Sequence, residues 1–214
     1  MKLPTRQQCL AMLKHYSMPR NMLEHTKGVA KVAVTITKAM NRAGQKIDVN
    51  LIERAALLHD IMKIARINEQ SFQKLGLTGS KLQMWKTLRG KYGNTGHAKA
   101  AFLELKAKYP ELALVVKKHN YNAMQHPKKL SIEQKILNYA DKRFEDYSTV
   151  PLHKRFNSFS KRYGGKKSEK EIMKINQNYF LLEKQIFKNL DITPEDINFK
   201  SKWQPKKTIT KSLE

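Results

Sequence analysis

The chain has 214 residues, a formal net charge of +24 and an isoelectric point near 10.1, so its surface favours anionic partners such as nucleotides or nucleic acid. Hydrophobic residues make up 40% of the sequence, enough for a sizeable core, which excludes a wholly disordered chain. Cys9 is the single cysteine, which excludes an intrachain disulfide and a thiolate metal cage and suits a reducing cytoplasm.

Helical periodicity dominates the first part of the chain, and strand patterns are nearly absent. A short helix is predicted after Thr5, which suits an N-cap, and a long helix follows Pro19. The long helix has one apolar face at spacings of three and four, formed by Met22, Thr26, Val29, Val32, Ala33, Ile36 and Met40. The sequence from Asp48 then opens a helix over about Leu51 to Ile64 that is apolar on most sides, which is typical of a central buried helix.

The second half of the chain is predicted to contain further helices separated by glycine and proline. Five glycines divide residues 66–96 into short helices and loops, with Ser80 as a candidate cap. Helices are expected over residues 97–109 and 111–119, then a loop, then a helix from the Ser131–Gln134 capping box to about residue 144. A final helix over about residues 168–190 has an apolar stripe that predicts packing on the domain, and a loose basic tail follows.

These elements predict an all-α fold. We expect one compact helical domain over residues 1–165 and a basic C-terminal helix and tail over residues 166–214, packed on it or appended to it. The N-terminal segment lacks the apolar core of a signal peptide, and no stretch approaches the ~18 apolar residues of a membrane-spanning helix. We therefore expect a cytoplasmic protein with no membrane partner, whereas the oligomeric state is unknown from sequence.

Several histidines and aspartates are predicted to lie on the apolar faces of these helices: His25, His59, Asp60, His119 and Asp141. One such residue alone is more often a satisfied core histidine or a capping aspartate. Burial of several, from separate helices, is costly unless they share a partner, and a bound cation explains them together. Imidazole combined with carboxylate suits Fe, Mn, Zn, Co or Ni.

The motif Leu58-His-Asp-Ile-Met-Lys63 is preceded by His25 and followed by Asp141 within the sequence NYADKR. This pattern resembles the H…HD…D signature of the HD-domain superfamily of metal-dependent phosphohydrolases. The likeness is strongest to small single-domain members of its HDIG group, and it spans roughly residues 20–165, including the later segment Leu152-His-Lys-Arg-Phe. The sequence departs from the group at Met62, where the group has glycine, and this departure removes no ligand.

The resemblance implies a compact HD-domain helical bundle with a divalent transition metal held by four side chains, those of His25, His59, Asp60 and Asp141. Many members hold a second metal through two further histidines, which His97 and His119 match here, and Asp60 would then bridge the two ions. A mononuclear site, with His97 and His119 either contacting the substrate or idle, is the open alternative. The implied reaction is attack on phosphorus by a metal-activated hydroxide.

Three further residues are candidates for binding the substrate. Lys63 matches the family lysine that reaches the substrate phosphate and is a catalytic candidate together with Asp60; a solvated lysine at a helix end is the alternative. Arg143 is either a partner for phosphate or a helix-surface charge, and His126 is a candidate for the mouth of the pocket.

The function predicted from the resemblance is a metal-dependent phosphohydrolase that acts on a nucleotide or dinucleotide, with the basic surface attracting the anion. The alternative is an RNA- or DNA-binding protein that uses the basic C-terminal region, where Phe159, Tyr163 and Trp203 are interleaved with lysine and arginine. The two combine in a phosphohydrolase that acts on nucleic-acid ends. A vestigial regulatory site and two-iron oxygenase chemistry are further alternatives, and the complete ligand set disfavours the first.

Overall fold

The computed structural model describes residues 2–163 and 168–203, without the side chains of Gln73 and of residues 158–163, and this part is built almost entirely of helices. Its α-helices are α1 (Arg6–His15), α2 (Arg20–Arg42), α3 (Val49–Leu58), α4 (Glu69–Lys74), α5 (Gly79–Tyr92), α6 (His97–Leu105), α7 (Pro110–Lys117), α8 (Ile132–Lys142), α9 (Leu152–Tyr163) and α10 (Glu169–Phe187). Three 3-10 helices cover Lys63–Arg66, Tyr121–Gln125 and Pro127–Lys129. The short strands β1 (Phe144–Glu145) and β2 (Ser148–Thr149) pair antiparallel. The predicted all-α fold is confirmed.

Helix α3 lies at the centre of the hydrophobic core and packs against α1, α2, α7 and α8. Its side chains Ile52, Ala55, Ala56 and Leu57 are fully buried, as expected for a helix that is apolar on most sides. Helix α2 contributes the long apolar face that its periodicity predicts, which is buried from Thr26 to Met40. The core is therefore formed where the helices that carry the candidate ligands meet.

Local sequence accounts for where several helices begin. Thr5 and Ser131 each accept a hydrogen bond from the backbone N–H three residues later, in capping boxes that confirm the predicted starts of α1 and α8. Asp48 accepts from the N–H groups of Asn50 and Leu51 and so starts α3. The prediction that Ser80 caps a helix was wrong, because α5 already begins at Gly79 and Ser80 lies in its first turn.

The helix that carries the His-Asp pair ends earlier than its apolar pattern predicts. Helix α3 ends at Leu58 with His59 as its C-cap, and a 3-10 helix begins at Lys63. The backbone N–H groups of Ile61 and Lys63 donate three residues back, to the carbonyls of Leu58 and Asp60, at 3.1 and 2.9 Å. Within this tighter spiral the side chains of His59 and Asp60 lie close together, with Nε2 of His59 3.5 Å from Oδ2 of Asp60.

The C-terminal part of the described chain packs on the same core. Ile175, Tyr179, Leu182 and Ile186 of α10 are buried in it, while the domain boundary at residue 165 stays a prediction. After α10 the chain returns along α2, where Ser201 Oγ donates to Glu24 Oε2 at 2.7 Å. The predicted loose basic tail covers residues 200–214. Its first residues are described and make contacts, since Lys200 forms a β-bridge with Ser148, and its residues from 204 lie outside the described part. Among the described helices, none is both long enough and apolar enough to cross a bilayer.

A close approach between α2 and β1 requires glycine at position 28. A Cβ atom at Gly28 would lie 2.2 Å from Cζ of the buried Phe144, whose ring centroid is 6.1 Å from that of His25. We expect Gly28→Ala to lower the free energy of unfolding by about 1–3 kcal/mol, as overpacking of a core does. Denaturant titration measures the loss, with Gly90→Ala as the control, because a Cβ at Gly90 in α5 meets open space. Equal stabilities of the two variants would contradict the prediction.

The single cysteine is expected to be chemically inert in the folded protein. Cys9 is fully buried, and this burial raises the pKa of its thiol to about 11 against the opposing charge of Arg54. Because the thiolate is the reactive species, the native protein should react very slowly with a thiol reagent at about pH 8. Denatured protein should give one equivalent of reaction. Rapid labelling of the native protein would contradict the burial.

Candidate metal centre

Six side chains converge from the ends and inner faces of separate helices. They are His25 of α2, His59 and Asp60 directly after α3, His97 at the start of α6, His119 just past α7 and Asp141 of α8. These are the six residues that the sequence predicts as metal ligands. The structure brings all of them to one place, although they span 117 residues of the chain from position 25 to position 141.

Asp60 lies between two groups of imidazoles. Its Oδ1 lies 3.4 Å from Nε2 of His97 and 3.5 Å from Nε2 of His119. Its Oδ2 lies 3.5 Å from Nε2 of His59 and 4.0 Å from Nε2 of His25. In each group the candidate ligand atoms lie within 4.8 Å of one another. One carboxylate therefore presents one oxygen to each of two candidate metal subsites.

Asp141 completes the first of these groups. Its Oδ1 lies 3.1 Å from Nε2 of His25 and 3.6 Å from Nε2 of His59. The first subsite therefore offers two imidazole nitrogens and two carboxylate oxygens. The second subsite offers Oδ1 of Asp60 and the Nε2 atoms of His97 and His119, which lie 2.9 Å apart.

The backbone fixes the orientation of two of the rings. Nδ1 of His59 donates to the carbonyl of Ala56, and Nδ1 of His119 donates to the carbonyl of Val116, both at 2.7 Å. A carbonyl only accepts, so the neutral form of each ring has its proton on Nδ1 and its lone pair on the inward-facing Nε2. These carbonyls lie in the last turns of α3 and α7, where helix carbonyls lack an intrahelical partner. The hydrogen bonds at the two helix ends thus orient both rings so that Nε2 can bind a cation.

The donor set fits a divalent transition metal. Among the described residues, Nε2 of His59 is buried and has no hydrogen-bond partner, a costly situation for a polar atom. Its nearest carboxylate oxygens, at 3.5 and 3.6 Å, are too distant for hydrogen bonds. Two ligand atoms that each lie about 2.1 Å from one ion are separated by about 3.0 to 3.4 Å, which is close to these values. Although burial opposes it, the carboxylates of Asp60 and Asp141 raise the pKa of His59, so this position attracts positive charge.

Most of the ligands are held in the protonation state that a metal requires. Burial lowers the pKa of His25, and it lowers the pKa of His97 to about 3, so both rings are neutral at neutral pH. Burial alone would raise the pKa of Asp60 and Asp141, but the surrounding ammonium and imidazole groups hold both well below the usual range. Neutral imidazoles and ionised carboxylates bind a cation without first losing a proton.

Comparison with known families agrees with this geometry. The family model of the HD domain matches residues 22–144, which is more than half of the chain and includes all six candidate ligands. The chain belongs to the HD domain family. Members of the HD domain family are generally metal-dependent hydrolases, so the family and the donor set point to the same chemistry. No curated protein and no solved structure matched the chain.

Lys63 lies at the edge of the group of six candidate metal ligands. Its Nζ donates to Oδ2 of Asp60 at 3.0 Å, and about half of its side chain, 47%, is exposed. The structure therefore places Lys63 against a candidate ligand, where the alternative was a purely solvated lysine at a helix end. Its contact with a substrate phosphate stays a prediction.

Arg143 is placed differently from both sequence-based alternatives. It is buried, 5% exposed, so it is not a helix-surface charge. Its Nε donates to the carbonyl of Val150 at 2.7 Å, its Nη2 to that of Pro194 at 3.0 Å, and its Nη1 to Glu183 at 3.3 Å. These contacts join α8 to the segment that follows β2 and to the C-terminal segment after α10. We therefore assign Arg143 a structural role in place of the predicted contact with phosphate.

The remaining candidates make no described contact with the six ligands or lie outside the described part. His126 is exposed between two 3-10 helices, and its role at the pocket mouth stays a prediction. The ring of Trp203 packs edge to face on Tyr147 at 5.3 Å, and Arg20 lies over it at 5.2 Å. The side chains of Phe159 and Tyr163, and most of the basic run around them, lie outside the described residues, and the nucleic-acid hypothesis stays a prediction.

Proposed function

We propose that the chain hydrolyses a phosphate ester or anhydride of a nucleotide or dinucleotide at the centre around Asp60. The observation that supports this most strongly is the two-sided placement of Asp60, whose oxygens face separate groups of imidazoles. This arrangement suits two divalent ions that share one carboxylate. When bound, such ions neutralise phosphate oxygens and activate water.

The exposure of the ligands indicates where an anionic substrate would enter. The side chains of His59 and His119 are 0% and 2% exposed, whereas those of His25 and His97 are 20% and 31% exposed. Among the described side chains that form an ion pair with this group, Lys63 is the most exposed. The substrate phosphate would therefore approach between His25 and His97, where the ammonium of Lys63, which contacts Asp60, would also stabilise the charge that develops on phosphate oxygens.

The substrate class rests on charge. A net charge of +24 attracts anions over long distances and raises their local concentration near the protein. A nucleotide offers both the phosphate that the centre would cleave and additional negative charge for capture. The identity of the base and the number of phosphates are left to the experiment.

The test is product-resolved hydrolysis of mononucleotides, cyclic nucleotides, dinucleoside polyphosphates and a short RNA. The protein is loaded separately with Mn(II), Fe(II), Co(II) and Ni(II), and His59→Ala is the control. We expect turnover of at least one nucleotide class, and its loss in the control. Protein that is folded and metal-loaded but turns over none of these substrates with any metal would overturn the proposal.

A second candidate is a polynucleotide partner, favoured by the same net charge. Neutralised phosphates release counterions, so such binding should weaken steeply as salt is raised. His59→Ala should spare this binding, whereas glutamate substitutions of the basic residues within 161–167 should weaken it and leave hydrolysis of small nucleotides in place. Binding that is insensitive to salt and to these substitutions would remove this candidate.

A further inference from the structure

A lysine is buried directly behind one of the candidate ligands. Lys142 is the last residue of α8, and its side chain is only 7% exposed. Lysine is almost never buried to this degree unless it is paired. Its ammonium contacts Oδ2 of Asp141, the neighbouring residue. Consecutive residues do not face each other along a regular helix, and here the contact forms in the last residues of α8, directly before its C-cap Arg143.

The two oxygens of the Asp141 carboxylate therefore contact different side chains. Its Oδ1 faces Nε2 of His25 at 3.1 Å, in the first subsite, whereas its Oδ2 faces Lys142. Asp60 has a similar arrangement, because Lys63 donates to its Oδ2 at 3.0 Å. Each of the two buried carboxylates of the centre thus has a lysine in contact with it.

We propose that Lys142 is an internal counter-ion of the metal centre, which balances the buried charge of Asp141 in the metal-free protein and weakens metal binding at the first subsite. The inference rests on the proposed metal centre but is independent of its substrate. A cation bound at Oδ1 and the ammonium at Oδ2 share one carboxylate. They repel each other strongly because the surroundings are buried. The coupling is reciprocal, so the bound cation also weakens the Lys142 contact.

This role predicts opposite effects of one substitution on two properties. Without a metal, removal of Lys142 leaves a buried carboxylate with less compensation, which is strongly destabilising. With a metal, the cation supplies that compensation, and the repulsion from Lys142 is gone. Loss of Lys142 should therefore destabilise the metal-free protein and tighten metal binding. A lysine that only positions the ligand would give the reverse effect on binding, since removal of such groups weakens metal affinity.

The experiment compares Lys142→Met, which keeps the length without the charge, with Lys142→Arg, which keeps the charge. Lys135→Met removes a lysine from the same helix, away from the ligands, and is the matched control. Thermal unfolding is recorded in excess chelator and in saturating Mn(II), and the Kd for Mn(II) is measured by competition with a chelator. Where Lys142→Met is unfolded without metal, its Mn(II)-loaded form still gives the comparison.

We expect Lys142→Met to lower Tm by about 10 °C in chelator and by less than half of that in Mn(II). Its Kd for Mn(II) should fall by about 10- to 100-fold, which is the size of the change in metal affinity when a residue in contact with a metal ligand is substituted. Lys142→Arg and Lys135→Met should stay near the unmodified protein. Weaker or unchanged Mn(II) binding by Lys142→Met, or equal losses of Tm with and without Mn(II), would overturn the inference. If the unmodified protein binds none of Mn(II), Fe(II), Co(II) and Ni(II), the inference and the proposed function fail together, whereas the results above overturn the inference alone.

Discussion

Asp60→Asn is expected to reduce metal-dependent hydrolysis by more than about 100-fold and to remove bound metal from the protein. Substitution of a residue that only hydrogen-bonds to a metal ligand lowers metal affinity or activity by about 10- to 100-fold. Asp60 itself faces both subsites, so its substitution should have a larger effect. Asparagine keeps one carbonyl oxygen but replaces the other with an NH₂ group, which donates hydrogen bonds and carries no charge for a cation. Turnover of the best nucleotide and metal content by elemental analysis measure the two effects.

The control for this substitution is Asp146→Asn, in the exposed turn between β1 and β2. Asp146 has a φ of +44°, a conformation that asparagine tolerates well, so the fold and the activity should be unchanged. Circular dichroism of both variants should match that of the unmodified protein. Asp60→Asn protein that keeps a full complement of metal and most of its turnover would contradict the role assigned to Asp60.

Much of the helical framework can be predicted from sequence, because the determining signals are local. The Ser131–Gln134 capping box and the apolar stripe of α2 depend only on residues three or four apart. Helix ends are less predictable. The apolar pattern continues past Leu58, so nothing local distinguishes a continuing α-helix from the turn and 3-10 helix that follow. Their geometry is decided by packing against other elements.

The candidate site shows the same division between local and long-range information. Inward-facing positions of His25, His119 and Asp141 follow from periodicity, and the resemblance to HD domains adds His97. The sequence does not show which oxygen of Asp60 faces which group, since this depends on the relative placement of four helices. Lys142 was missed because a lysine in the last turn of a helix is an ordinary feature that favours the helix dipole.

Arg143→Met is expected to lower the free energy of unfolding by about 3–5 kcal/mol, the loss found when one partner of a buried charged network is removed. The guanidinium of Arg143 donates to Glu183 and to the carbonyls of Val150 and Pro194, and methionine removes these three hydrogen bonds. For a chain of this size the loss corresponds to a fall in Tm of about 10 °C. Denaturant titration followed by circular dichroism measures it.

Arg42→Met is the matched control, because Arg42 donates two hydrogen bonds to Asp191 at the surface, where both side chains are more than half exposed. An exposed ion pair contributes little, so this variant should lose much less stability than Arg143→Met. At a temperature where both variants are folded, Arg143→Met should bind Mn(II) with the stoichiometry of the unmodified protein and keep its KM. A residue that only joins α8 to the segment after β2 and to the C-terminal segment has no contact with the substrate. A stable Arg143→Met variant with a raised KM would therefore contradict the structural role and support a contact between Arg143 and the substrate.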